Sequence, residues 1–208
     1  LIHTWTPKLT EYFKSLNPKS EVYWDLLSNE YDDSKIPPYN LIKNRETLFA
    51  EKKIISAGRT FRNFEYLVNE ITNENIKIIG ATDINSSTNK NLEVIEKLNY
   101  NEFILEIKNA KILIIPLTES EFSIGMRVIQ LGMKYSVPIF FTRHHDNEVY
   151  FSGHKYYDQI TFLNDPGILK RKFDSFNEIY NEELIKYNYE FAFKKFSSRT
   201  FDNFRIAF

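Results

Sequence analysis

Pro116-Leu-Thr-Glu-Ser-Glu-Phe-Ser-Ile-Gly-Met-Arg-Val-Ile-Gln-Leu-Gly-Met-Lys-Tyr-Ser-Val-Pro-Ile-Phe-Phe-Thr142 is the stretch that decides the fold. The apolar run Ile112–Pro116 leads into it and reads as a buried strand. A polar turn carrying Glu119 and Glu121 follows, and Gly125 opens a helical segment. Val137–Phe141 is a second apolar run, ending at Thr142. Strand, turn, helix and strand together make the βαβ unit of an open α/β sheet. In such sheets ligands bind beyond the carboxyl ends of the strands. A helix that begins there points backbone N–H groups with no helical partner at a phosphate. The stretch therefore predicts both the place of a ligand and its negative charge.

The same alternation extends outward. Strands are expected at Ile54–Ser56, Ile76–Ile79, Leu92–Glu96, Ile112–Pro116, Val137–Phe141 and Gln159–Leu163. Helices are expected at Phe64–Thr72, Asn101–Ala110 and Met126–Tyr135. Short apolar strands separated by helices predict a parallel sheet covered on both faces, about six strands wide, with right-handed crossovers. From Pro166 onward the pattern is helical and aromatic, and these aromatics are assigned to packing. At the other end, Leu1-Ile-His reads as the end of a strand, which suggests sequence upstream. Thr6 as N-cap, Pro7 at the first helical position and the apolar face Leu9, Tyr12, Phe13, Leu16 predict a helix over Thr6–Leu16. Glu21–Leu27 suits a strand, and Ser28–Asn40, with Pro37-Pro38, reads as a linker.

The chain has 208 residues, 42% of them hydrophobic, enough for one good core. With 27 basic and 28 acidic residues, it lacks the bulk positive charge of a nucleic-acid binder. It has no cysteine, so disulfides and thiolate-bound zinc are excluded. No run approaches the roughly 20 apolar residues that span a bilayer.

Three places could carry chemistry. The first is Ser56-Ala-Gly58-Arg59-Thr-Phe-Arg62, at the end of a strand. A guanidinium fork suits phosphate, and two of them sit here, although solvated arginines at a helix start remain the other reading. The second is the turn Thr118–Gly125. Glu119 and Glu121 suit acid–base work or the binding of hydroxyls. Gly125 lets a ligand approach the backbone, and Gln130 follows in the same helix. The third is His144-His145, adjacent and so a poor metal pair, for which a structural reading is favoured, as it is for His154 and His3. Gly80-Ala-Thr82-Asp83 also follows a strand, so its backbone borders the same edge. No GxGxxG, Walker A or HExxH motif is present.

The order of these pieces resembles a known family. From about Leu41 to Phe208 the chain is similar to the C-terminal, donor-binding half of a GT-B glycosyltransferase of the large retaining nucleotide-sugar family (family 4-like, group 1). Gly58-Arg59 and Arg62 match that family's Gly-Arg and following basic residue. Ile78-Ile-Gly-Ala-Thr-Asp83 matches its Gly-containing loop. Ile104–Leu117 matches the helix and strand before its acidic turn. Gly125, Gln130-Leu-Gly-Met133 and Pro138-Ile-Phe-Phe-Thr142 match the Gly, the helix and the strand after it. Phe196–Phe204 resembles its closing helix. Two positions depart: Gln130 stands where the family has a ribose-binding Glu, and Phe122 where it has its first acidic residue, Glu121 being one place off.

The resemblance implies a Rossmann-like α/β domain over 41–208, with 1–40 a remnant of an N-terminal domain and a linker. It implies transfer of a sugar from a UDP- or GDP-linked donor to a glycan, lipid or polysaccharide acceptor in cell-envelope biosynthesis. It assigns Arg59, Arg62 and Glu121 to catalysis. Gly58, Thr82, Glu119, Ser123, Ile124, Gly125 and Gln130 would bind the substrate. It implies no cofactor and no metal, an N-terminal partner domain, no nucleic acid, and a cytoplasmic setting at the inner face of a membrane. Two other classes stay open: a non-catalytic nucleotide- or partner-binding module derived from such an enzyme, and an unrelated α/β phosphate-ester enzyme.

Overall fold

The computed structural model describes residues 2–4, 7–19, 22–24, 35–39, 52–81, 84, 90–118 and 125–196. The expected N-cap Thr6 and the closing segment after Phe196 lie outside them.

Six parallel strands form the main sheet: β3 (Ile54–Ala57), β4 (Ile76–Ile79), β5 (Leu92–Ile95), β6 (Ile112–Ile115), β7 (Ile139–Thr142) and β8 (Thr161–Phe162), in the order β5-β4-β3-β6-β7-β8. Every residue of β3, β4, β6 and β7 is buried, as runs such as Ile-Leu-Ile-Ile demand when helices cover both faces. β5 buries only Leu92 and forms one edge. The strand order runs outward from β3 through β4 to β5, then restarts at β6 on the other side of β3. That reversal is the topological switch point, where two neighbouring strands send their chains in opposite directions and leave a crevice.

Two strand starts differ from the sequence reading. β7 begins at Ile139 rather than Val137, although Pro138 already accepts Leu113 N–H at 2.9 Å; proline can accept in a ladder but not donate. Gln159 and Ile160 are not strand. They belong to a helical turn, α6 (Tyr157–Ile160), closed by Ile160 N–H on Tyr156 O at 3.2 Å. Only Thr161 and Phe162 pair with β7.

The helices start where their caps place them. Asn63 accepts Tyr66 N–H at 3.1 Å and opens α2 (Phe64–Glu70). Asn99 and Glu102 form a reciprocal capping box on α3 (Tyr100–Lys108). α4 (Met126–Lys134) opens at Gly125, which has no side chain to cap it, and is buried throughout its second half. After α5 (His145–Tyr150) and α6 come α7 (Ile168–Asp174), α8 (Phe176–Ile179) and the long α9 (Glu182–Phe196), which packs over α4. Lys134 at the end of α4 is fully buried, donates to Phe196 O at 3.1 Å and lies under the Phe193 ring. Tyr180 receives Ile139 N–H at 2.7 Å and donates to Ile139 O, so its hydroxyl closes the open end of β7.

The C-terminal aromatics are core, as their spacing suggested. Phe151 stacks on Phe191, and His154 meets Phe191 and Tyr187 edge-on. The segment read as a linker is partly anchored: Ile36 is buried, Tyr39 packs on Tyr189, and Tyr189 donates to Pro37 O. At the N-terminal end, β1 (Ile2–Thr4) and β2 (Val22–Trp24) pair in parallel, joined through α1 (Pro7–Leu16).

Candidate functional site

The crevice between β3 and β6 is closed from below by backbone. After β3, Asn63 N–H donates to Pro116 O at 2.9 Å, and Thr118 N–H donates to Phe61 O at 3.1 Å. Arg62 and Leu117 form an antiparallel bridge. The loop after β6 is tied in turn to the next two strands: Leu117 N–H donates to Thr142 Oγ1, Thr142 Oγ1 to Asn164 Oδ1, and Asn164 Nδ2 to Leu117 O. The carboxyl ends of four strands are thereby held in one frame.

Arg62 occupies the centre of that frame. Its Nε donates to Ala57 O at 3.0 Å and its Nη1 to Thr60 O at 2.9 Å. These bonds fold the side chain back over the strand it follows. Nη2 lies against two glycines. A Cβ built on Gly58 would sit 2.4 Å from it, and one on Gly125 3.6 Å from it. Both glycines have left-handed backbone, φ 132° and 76°, which strains any side-chain-bearing residue there. Burial lowers the guanidinium's pKa from 12.5 to about 10, which still leaves it charged at neutral pH. Among the described residues no carboxylate pairs with it and no acceptor meets Nη2. A half-buried cation without a counter-ion is costly, and an anion beside Nη2 would relieve part of that cost.

Arg59, by contrast, is exposed, with its stem over Gly80, whose ideal Cβ would lie 3.3 Å from Arg59 Cγ. The structure thus brings Gly58, Arg62 and Gly125 together, with Arg59 on the rim. Gln130 lies on α4 with no solvent exposure at all, enclosed rather than open to the crevice. Thr82, Glu119, Glu121, Ser123 and Ile124 lie outside the described residues. His144 caps α5 in extended conformation and His145 is exposed. His154 is buried in the aromatic cluster, its Nε2 3.0 Å from Asn188 Oδ1 and its Nδ1 accepting Tyr156 N–H at 3.2 Å. Among the described residues no three His, Cys, Asp or Glu side chains are grouped to hold a metal, and no helix is long and apolar enough to cross a membrane.

One residue at the site escaped the sequence reading. Phe61 has φ 55° and an exposed ring. Nothing in the local sequence marks it, because its conformation accompanies long-range backbone bonds to the neighbouring loop, at Phe61 O and Asn63 N–H.

Solved structures share this architecture. The chain is similar to sucrose-phosphate synthase from Thermosynechococcus elongatus, with a TM-score of 0.66 at 12% identity over 95% of this chain and 54% of that one. It is similar to WaaG, a glycosyltransferase involved in lipopolysaccharide biosynthesis, with a TM-score of 0.62 at 11% identity over 91% of this chain and 57% of that one. TarM matches with a TM-score of 0.59 at 13% identity over 99% of this chain and 42% of that one. The chain spans about half the length of these proteins. No family model matches it, and no curated protein does. The fold is that of the C-terminal half of a GT-B glycosyltransferase.

Proposed function

We propose that this chain is the donor-binding half of a glycosyltransferase, seating the diphosphate of a nucleotide sugar between Gly58, Arg62 and Gly125. The observation that carries this reading is the half-buried Arg62 guanidinium, without a carboxylate partner among the described residues, held by two backbone acceptors against Gly58 and near Gly125. It stands at the switch point of a fold shared with glycosyltransferases, one of which, the pneumococcal O-GlcNAc transferase GtfA, was solved with UDP and GlcNAc.

In the proposed reaction the bond from the anomeric carbon to the diphosphate oxygen breaks, and its electron pair stays on that oxygen. An acceptor hydroxyl of a glycan, lipid or polysaccharide forms the new bond and loses its proton. Negative charge therefore grows on the leaving diphosphate. Arg62 is already oriented and partly desolvated, so it stabilises that charge without reorganising. Arg59 adds a second, mobile cation from the rim, and the start of α4 adds backbone N–H groups near Gly125. These charges take the part a metal plays elsewhere, and no metal is required. Thr82, Glu119, Glu121, Ser123, Ile124 and Gln130 are assigned to the donor, Glu121 with a part in proton transfer, and retention of configuration is part of this reading. Residues 1–40 belong with an N-terminal domain that supplies the acceptor site, in a protein working at the cytoplasmic face of a membrane. A second reading, a module that binds nucleotide without catalysis, is favoured by one observation: Gln130 carries no charge and is fully enclosed.

Calorimetric titration with UDP, GDP and ADP tests the seat. One of them is expected to bind without added metal, and Arg59→Ala is expected to weaken it about tenfold, as loss of one charged contact implies. The parent nucleoside should bind this variant as it binds the wild type. Equal losses for nucleoside and diphosphate would remove Arg59 from the phosphates. Sugar transfer by a chain carrying both domains separates enzyme from binder.

A further inference from the structure

We infer that Phe61 is the surface on which the pyranose of the donor stacks, a specificity-determining residue that rests on the donor-binding reading above. Phe61 is unusual in two independent ways. Its backbone is left-handed at φ 55°, a region that side-chain-bearing residues enter with strain and that glycine or asparagine enters readily. Its ring is 48% exposed, so burial in the chain's own core does not offset that strain. Phe61 O accepts Thr118 N–H and Asn63 N–H donates to Pro116 O, the two backbone bonds of the Arg62–Leu117 bridge, which tie the chain just after Phe61 to the neighbouring loop. Strained residues that the surroundings over-determine cluster at ligand sites.

The position says which ligand. Phe61 immediately precedes Arg62, whose Nη2 marks the seat of the diphosphate. In a nucleotide sugar the pyranose hangs from the terminal phosphate through a single oxygen, so a phosphate held by Arg62 carries its sugar into this neighbourhood. A pyranose presents C–H groups on its faces and hydroxyls around its rim. A flat aromatic ring offers the matching face, and the guanidinium of the next residue would hold the charged end. Stacking of this kind is tolerant of hydroxyl pattern, so Phe61 selects for a pyranose rather than for one particular sugar.

The test compares nucleotides with and without sugar. UDP, UDP-glucose, GDP and GDP-mannose are titrated calorimetrically into the wild-type chain, Phe61→Asn and Phe61→Tyr. Phe61→Asn suits the left-handed backbone and removes the ring. It is expected to unfold at the same temperature or up to roughly 3 °C higher, and to bind the preferred nucleotide sugar about fivefold more weakly. Its affinity for the matching free diphosphate should not change. Phe61→Tyr should bind both as the wild type does. Phe61→Asn binding the sugar-bearing and sugar-free ligands with unchanged affinity, or losing both equally, overturns the stacking role while leaving the donor seat intact. Failure of the wild type to bind any of the four overturns the seat and the stacking together.

Discussion

Gly58→Ala is expected to empty the anion seat without altering any side chain proposed to touch the ligand. The new Cβ would lie 2.4 Å from Arg62 Nη2 and 2.6 Å from Cζ and Nε. Ordinary contact needs about 3.5 Å, so the guanidinium must retreat by roughly 1 Å. That retreat breaks the bonds from Nε to Ala57 O, now 3.0 Å, and from Nη1 to Thr60 O, now 2.9 Å. Water takes over part of the lost bonding, so the two together are worth about 2 kcal/mol. Holding alanine at φ 132° adds about 1–2 kcal/mol. The variant should therefore be about 3–4 kcal/mol less stable in urea unfolding, and should bind its nucleoside diphosphate about a hundredfold more weakly. A double-mutant cycle separates the two causes. In an Arg62→Ala background the three nearest atoms are gone, so Gly58→Ala should cost mainly the backbone part, about 1–2 kcal/mol. If Gly58→Ala costs the same in both backgrounds, the guanidinium is not held against Gly58. If it folds poorly yet binds undiminished, the anion does not sit there.

His154 gives a pH dependence. Burial lowers its pKa from 6.5 to about 4, and its Nδ1 already accepts Tyr156 N–H, which a proton there would oppose. The unfolded chain takes up its proton near pH 6.5 while the fold resists until about 4, so stability is full above 6.5 and falls as pH drops toward 4. The loss is about 3 kcal/mol at most. Urea unfolding from pH 7 to 4.5 should show a smaller acid loss in His154→Gln than in the wild type, and equal losses would refute this role. Gly132→Ala tests the packing of α4 on β6. Its Cβ would meet Leu113 Cδ1 at 2.4 Å, so the variant should lose about 1–2 kcal/mol despite better helix propensity. Leu113→Val should restore part of that, and no rescue would place the strain elsewhere.

The sheet was legible because its central strands are unbroken apolar runs, and only full burial on both faces tolerates Ile-Leu-Ile-Ile or Ile-Phe-Phe-Thr. The start of α4 was legible from Gly125 and that of α2 falls at Phe64 as expected, whereas α3 starts at Tyr100, one residue before the expected Asn101. What the sequence could not show depends on long-range neighbours. Arg62 reads like any arginine at a helix start until Gly58 and Gly125 are seen on either side of it. Lys134 reads as a solvated last-turn lysine, yet α9 passes over it and gives it the carbonyl of Phe196. Ile36 reads as linker and is core, because Tyr189 on α9 reaches back to that segment. Gln130 is expected to face the ligand from α4, yet it is fully enclosed.

Gly167 opens α7 with φ 77° and ψ −7°, nearly the backbone with which Gly125 opens α4, at φ 76° and ψ −9°. The two starts follow strands of one sheet and meet different fates. At Gly167 the chain supplies its own anion: Glu70 accepts Gly167 N–H at 2.7 Å and Lys170 N–H at 3.1 Å. At Gly125, beside Leu117 and Ile115, lies the cation Arg62. A fold that repeats a turn also repeats its hunger for negative charge, and each copy must be fed from within or left for a guest. One of these starts is capped by the chain's own glutamate, and the other stands near a guanidinium, where the proposed diphosphate would be received.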